Sequence, residues 1–292
     1  MWRSLGKLLL LNKSGAKASP QLIHKLVNGV VREPGKLSGV GAADTLRGMS
    51  DLGRWGGVLE GLKNRPHFRK TLDGVLPVTG AIAARVDSLP ARSVSDALYA
   101  YAKLFSTKGM GKAMPPFDEP EMTAVVRGLM ARCETVAGEL SPDEAAGALW
   151  AVAALCDAGR ASLDGLDRPL ANLLTAVERG LPQMSEGEAV NSVTWALAKL
   201  VRKHPELLSK GALTPGLMVA IGAAFQKMAT GSIETRHPGQ LIVALGPVSV
   251  LAEHGVMVPL GDGQGLTLVH FSAQLERFLW DQGRAQGLHS PF

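Results

Sequence analysis

Three stretches decide the reading of this chain: LYAYAKL (Leu98–Leu104), LWAVAAL (Leu149–Leu155) and TWALAKL (Thr194–Leu200). Each has an aromatic residue, then Ala, an apolar residue and Ala, and closes on Leu. Self-similarity at a fixed period marks a repeat architecture, in which one supersecondary unit recurs and buries its apolar face against its neighbours. Weaker copies flank the three, LRGMSDL (Leu46–Leu52) before and IVALGPV (Ile242–Val248) after. The closing residues Leu52, Leu104, Leu155, Leu200 and Val248 are spaced by 52, 51, 45 and 48 positions.

In this register the residue after the aromatic position is always small: Gly48, Ala100, Ala151, Ala196 and Ala244. A small side chain lets a second helix approach closely. Apolar residues recur at i, i+3, i+4 and i+7, as in Leu98, Tyr101, Ala102 and Phe105 or Leu149, Val152, Ala153 and Cys156, the period of an amphipathic helix. Tyr99, Trp150 and Trp195 are expected in the core rather than as stacking surfaces. Helix starts are expected at Ser38, Ser93, Ser141, Ser185 and Thr235, with capping boxes at Ser141/Glu144 and Ser185/Glu188, because a Ser oxygen and a Glu carboxylate three positions on satisfy otherwise unpaired N–H groups.

A second periodic segment lies between the copies, for example Leu170, Leu174, Val177 and Leu181 or Leu217, Ile221, Ala224 and Met228. Each unit is therefore a helix pair. The expected fold is all-α, an α-solenoid of about five helix-hairpin repeats (near 20–55, 67–108, 118–160, 166–210 and 214–256) with a C-terminal capping helix at 264–285. Together they make one helical-repeat domain over 20–292. Pro247 lacks an N–H, so a kink or an early stop is expected in the fifth copy.

Aromatic residues are 5% of the chain against 46% hydrophobic residues overall, so the core must be aliphatic and small. No apolar run approaches the roughly 20 residues of a membrane span, and no membrane insertion is expected. Cys133 and Cys156 stand 23 positions apart, which is neither a metal-ligand spacing nor a disulfide framework, and both are read as buried thiols. Residues 1–19 carry Arg3, Lys7, Lys13 and Lys17 with several Leu and no acid, the composition of a mitochondrial targeting segment or of a basic tail. Charge is split along the chain. Residues 1–113 hold 18 Lys and Arg against 7 Asp and Glu, a net +11, and residues 114–292 hold 13 against 19, a net −6. A basic half is a candidate for phosphate contact.

The phrases Tyr99-Ala100-Tyr101-Ala102-Lys103-Leu104 and Trp195-Ala196-Leu197-Ala198-Lys199-Leu200 resemble the signature helix of octotricopeptide-repeat proteins and of the arrays in RAP-domain and FAST-kinase-like organellar proteins. The resemblance covers residues 90 to 210 best. It implies an organellar protein concerned with RNA. The longer unit and the lack of a RAP-domain pattern depart from these families and turn the expectation from a base-by-base reader toward a structural component.

Chemistry-bearing patterns are sparse. The seven His residues show no HxxxH or HExxH spacing. The K-G-M-G-K run from Lys108 to Lys112 has Ser106 where a phosphate loop needs Gly, and Ala113 follows it where Ser or Thr is needed. The Gly261, Gly263 and Gly265 loop follows no strand pattern. Asp143, Glu144, Glu186 and Glu188 are explained by capping. No enzymatic role, cofactor, metal or small-molecule substrate is expected. The expected contact surface is Arg54, Lys63, Arg65, His67, Arg69 and Lys70 with Trp55 and Phe68 interleaved, extended by Lys103, Lys108 and Lys112; cations meet phosphates and rings stack on unpaired bases. Lys199, Arg202 and Lys203 are weaker additions, since cations near helix C-termini also answer the macrodipole. A solvated charged loop is the alternative for this cluster. The expected function is a non-catalytic component of a mitochondrial ribosome or RNA-processing particle, in the matrix or alternatively a chloroplast. Its partners would be RNA, ribosomal in the first instance, and neighbouring proteins of a large complex. The alternative is a protein-binding accessory subunit of a respiratory assembly without RNA contact.

Overall fold

The computed structural model describes residues 28–29, 32–54, 74–106, 119–229, 232–233, 239–256 and 258, and for 52–54, 119–122, 229 and 239–245 the backbone alone. Among the described residues there are ten α-helices and no strand: α1 (Gly39–Arg54), α2 (Val75–Ala83), α3 (Ala91–Phe105), α4 (Glu119–Val136), α5 (Pro142–Asp157), α6 (Asp167–Gly180), α7 (Gly187–Lys203), the short α8 (Glu206–Ser209), α9 (Pro215–Ala229) and α10 (Gly239–Glu253). The fold is all-α and built of helical repeats. The five recurring segments lie on α1, α3, α5, α7 and α10, the anchor helices, and the partner helices α2, α4, α6 and α9 alternate with them. The first 19 residues, the partner stripe Leu22, Leu26 and Val30, Thr235 and the 264–285 cap lie outside the described residues, and the side chains of Leu52 and Ala244 are not described.

The described residues fall into two compact units, one within Met1–Glu139 and Ala154–Pro169, the other within Leu140–Ala153 and Leu170–Phe292. In the first, α1 packs on α3 and α2, and α4 packs on α3 and α2. Anchor lies against anchor and partner against partner. In the second, α7 packs on α10, α9 and α8.

The core follows the expected register. Ala100, Ala151 and Ala196 are completely buried, and Leu98, Tyr101, Leu149, Leu155, Leu197 and Val201 are equally inaccessible. Stacked helices with Ala at the seam can approach closely, and the larger Leu and Val side chains interlock on either side. Tyr101 is the largest fully enclosed residue among the described ones, and its hydroxyl donates to Thr79 Oγ1 at 3.0 Å, which donates in turn to the Val75 carbonyl at 2.8 Å. Burial raises the Tyr101 phenol above its usual value, so it stays protonated. Cys133 and Cys156 are buried thiols that form no disulfide.

A linking device recurs that the sequence reading missed. Each of four anchor helices is preceded by a single 3₁₀ turn: Pro34–Lys36, Val86–Ser88, Ala137–Glu139 and Leu181–Gln183. An apolar residue follows each turn, Leu37, Leu89, Leu140 or Met184, and the last three are buried. The next partner helix reaches back to this link with a basic side chain. Arg85 donates to the Gly35 carbonyl at 3.1 Å and Arg132 to that of Leu89 at 2.9 Å in the first unit. Arg179 donates to that of Leu140 at 3.5 Å and Lys227 to that of Pro182 at 3.0 Å in the second. Close backbone approach accompanies these bonds: a Cβ on Gly180, at the end of α6, would stand 3.0 Å from the Cα of Pro142.

The starts of the anchor helices correct the expectation in part. Ser38 caps α1 by accepting from the Gly41 N–H at 3.1 Å. At α5 the box closes both ways, Ser141 N–H to Glu144 Oε2 at 3.0 Å and Glu144 N–H to Ser141 Oγ at 3.4 Å. Ser93, however, is buried inside α3, which begins at Ala91 after the extended Pro90. Proline cannot continue a ladder from its N side, and this sets the boundary earlier. The Ser185/Glu188 box does not form, because α7 begins at Gly187 with Glu186 as its N-cap. The shift of one residue places Glu188 at the second helical position, where it cannot reciprocate. Of the kink or early stop expected at Pro247, the stop does not occur: α10 continues through it to Glu253. One absent backbone bond is outweighed where Val248 and Leu251 beyond it are buried.

Candidate nucleic-acid interface

The second position of the first four recurring segments does not lie in the core. Arg47, Tyr99, Trp150 and Trp195 occupy it on α1, α3, α5 and α7, and all four are half-buried. This overturns the expectation that the three aromatics are core residues. The cause is the neighbouring small residue: with Ala100, Ala151 and Ala196 forming the seam, a ring one position earlier is rotated about 100° round the helix, toward the margin.

In the first unit the Arg47 guanidinium lies over the Tyr99 ring, 3.9 Å from its centroid, and Lys103 Nζ is 5.3 Å from the same centroid. Arg47 is held there by two carboxylates, Asp51 Oδ2 and Asp96 Oδ1, each at 3.3 Å. Asp96 is buried and also stands 3.8 Å from Arg92 Nε. A cation desolvated over an aromatic face gains from the ring quadrupole, and here the paired acids keep its place.

In the second unit the Trp150 and Trp195 rings have centroids 6.1 Å apart at an interplanar angle of 33°. Lys199 Nζ stands 5.5 Å from the Trp195 centroid. Both units thus pair a half-buried ring with a Lys one turn on, Tyr99 with Lys103 and Trp195 with Lys199. Arg202 and Lys203 follow in the last turn of α7 and are exposed.

Of the residues expected to make the surface, Trp55, Lys63, Arg65, His67, Phe68, Arg69, Lys70, Lys108 and Lys112 lie outside the described residues. Arg54 is the last residue of α1 and its side chain is not described. Lys103 is placed, over Tyr99. Arg47 and the two Trp were not among the expected surface residues. The signal available was their shared register position beside an invariably small residue.

The described residues offer little else of chemical note. Among them no group of three or more His, Cys, Asp or Glu comes together that could hold a metal ion. His204, the C-cap of α7, has Nδ1 3.1 Å from Glu206 Oε1. The Glu206 carboxyl lies below its usual value, chiefly through a hydrogen bond from its own backbone and then through His204. No described helix is long and apolar enough to cross a membrane. No family model, no curated protein and no solved structure matches this chain.

Proposed function

We propose that the chain is a non-catalytic, RNA-associated helical-repeat protein of an organelle, built into a ribosome or an RNA-processing particle and contacting RNA and neighbouring proteins there. The observation that carries this reading is the pairing of half-buried rings with cations at one register position of the anchor helices, Arg47, Tyr99 and Lys103 in one unit and Trp150, Trp195 and Lys199 in the other. Rings offer a face to bases and cations answer phosphates. The net +11 of residues 1–113 adds a long-range attraction for a polyanion, and the basic N-terminal segment supports an organellar address.

The test is purification of the full chain from organelle extract after ultraviolet crosslinking. Recovery of RNA that is lost at high salt, and weakened crosslinking when Arg65, Arg69 and Lys70 are replaced by Ala, is the expected result. Co-purification with a membrane respiratory assembly and no crosslinked RNA would select the accessory-subunit reading instead.

A further inference from the structure

We infer that the Trp150–Trp195 pair, with Lys199, Arg202 and Lys203 following along α7, is a stacking site for unpaired bases of single-stranded RNA. This rests on the RNA-associated reading and specifies where RNA is met and in what form.

The two indoles are not there to fill the core. Leu149, Ala151, Ala196 and Leu197 beside them are completely buried and close the seam without them. Two large apolar rings left partly exposed at the margin are costly to keep in water, and a partner of matching chemistry removes that cost. Lys199 identifies the sign of the partner. A cation already stands over Trp195, so a second one, such as a quaternary ammonium group, is repelled. An anion is attracted.

The charge beyond the rings points the same way. Lys199, Arg202 and Lys203 lie four, seven and eight positions after Trp195 on one side of α7, over roughly 12 Å of helix at about 1.5 Å per residue. No acidic residue interrupts Trp195 to Lys203, although residues 114–292 carry a net −6. A ring pair continued by a row of cations matches a strand whose bases and phosphates are presented together.

Geometry then sets the manner of stacking. A base inserted between two rings needs them parallel and roughly 7 Å apart, twice the stacking rise of about 3.4 Å. The indoles are nearer than that and tilted by 33°, so a base lies against the exposed part of the pair and not within it. Since every base has such a face, little base preference is expected, and a duplex, whose bases are already stacked, is excluded.

The test uses the full chain, a twelve-residue oligouridylate and the same length of perfect RNA duplex. Expected are binding of the single strand over the duplex, quenching of indole fluorescence, and a loss of about tenfold or more in affinity for the combined Trp150→Leu and Trp195→Leu variant. The combined Lys199→Gln, Arg202→Gln and Lys203→Gln variant, which changes no ring, should flatten the salt slope by up to about two. Thermal melts show which variants are folded; should the Trp variant unfold, the Gln variant and the quenching decide. Wild-type binding that neither folded variant weakens overturns this site and leaves the RNA reading standing. Absence of RNA binding by the wild type overturns both, whereas quenching of the indoles by a proline-rich peptide and not by oligouridylate overturns this site alone.

Discussion

Arg47 on α1 lies 3.9 Å above the ring of Tyr99 on α3 and is tied by Asp96 of the same helix at 3.3 Å. One side chain thus joins two anchor helices through a ring face and an ion pair at once. Replacing Arg47 by Ala takes the 3.3 Å ion-pair partner from the buried Asp96, whose contact to Arg92 is longer, at 3.8 Å. A loss of about 1–3 kcal/mol in urea unfolding is expected. A double-mutant cycle with Tyr99→Leu should return a coupling of about 0.5–2 kcal/mol, and zero coupling would show that the ring contributes only area.

Two serines that look alike in sequence should behave differently. Ser141→Ala removes a closed capping box at α5 and is expected to cost about 1 kcal/mol. Ser185→Ala removes no side-chain cap of α7 and should lie within about 0.5 kcal/mol of wild type. Paired thermal melts of the two variants check this, and equal losses would contradict the boundary of α7.

The seam should tolerate no growth. Ala196 is wholly enclosed in α7, so Ala196→Leu forces its neighbours apart, at a cost of about 1–3 kcal/mol. Ala223→Leu, on the exposed side of α9, is the control and should be close to neutral. Denaturant midpoints distinguish them.

Burial pushes the Cys133 thiol up from 9.0 to about 12. The folded thiol remains neutral while the unfolded one ionises, so its contribution to stability is complete below pH 9 and is lost as pH rises toward 12. Tyr101, also raised by burial, acts in the same direction. Stability measured by urea titration should fall steadily over that alkaline range. At neutral pH a thiol reagent should find neither Cys133 nor Cys156 until the chain is unfolded; rapid labelling of the native protein would contradict their enclosure.

The register of the anchor helices was legible because burial imposes a helical period on Leu98, Leu149 and their equivalents, and that period survives in the residues themselves. Boundaries were less so. Whether Ser93 or Pro90 opens α3 depends on where the chain turns, and Ser is common at both caps and buried helical positions. The exposure of Trp150 and Trp195 could not be read from periodicity, since an aromatic at the margin of a helix face and one at its centre differ by a single position. The links escaped for another reason: their acceptors are backbone carbonyls, which every residue carries and no pattern of side chains announces.

That same property governs how such a chain can change over generations. Arg85, Arg132, Arg179 and Lys227 each grasp the main chain of the preceding link, so PGKLS, VDSLP, AGELS and LPQMS are all acceptable to their neighbours. The donor can be Arg or Lys, and it can come from within or just beyond its helix. Units of one architecture are thereby released from matching one another in spelling and in length. Divergence can proceed until kinship is hard to detect by letters alone, while the joints between units go on fitting.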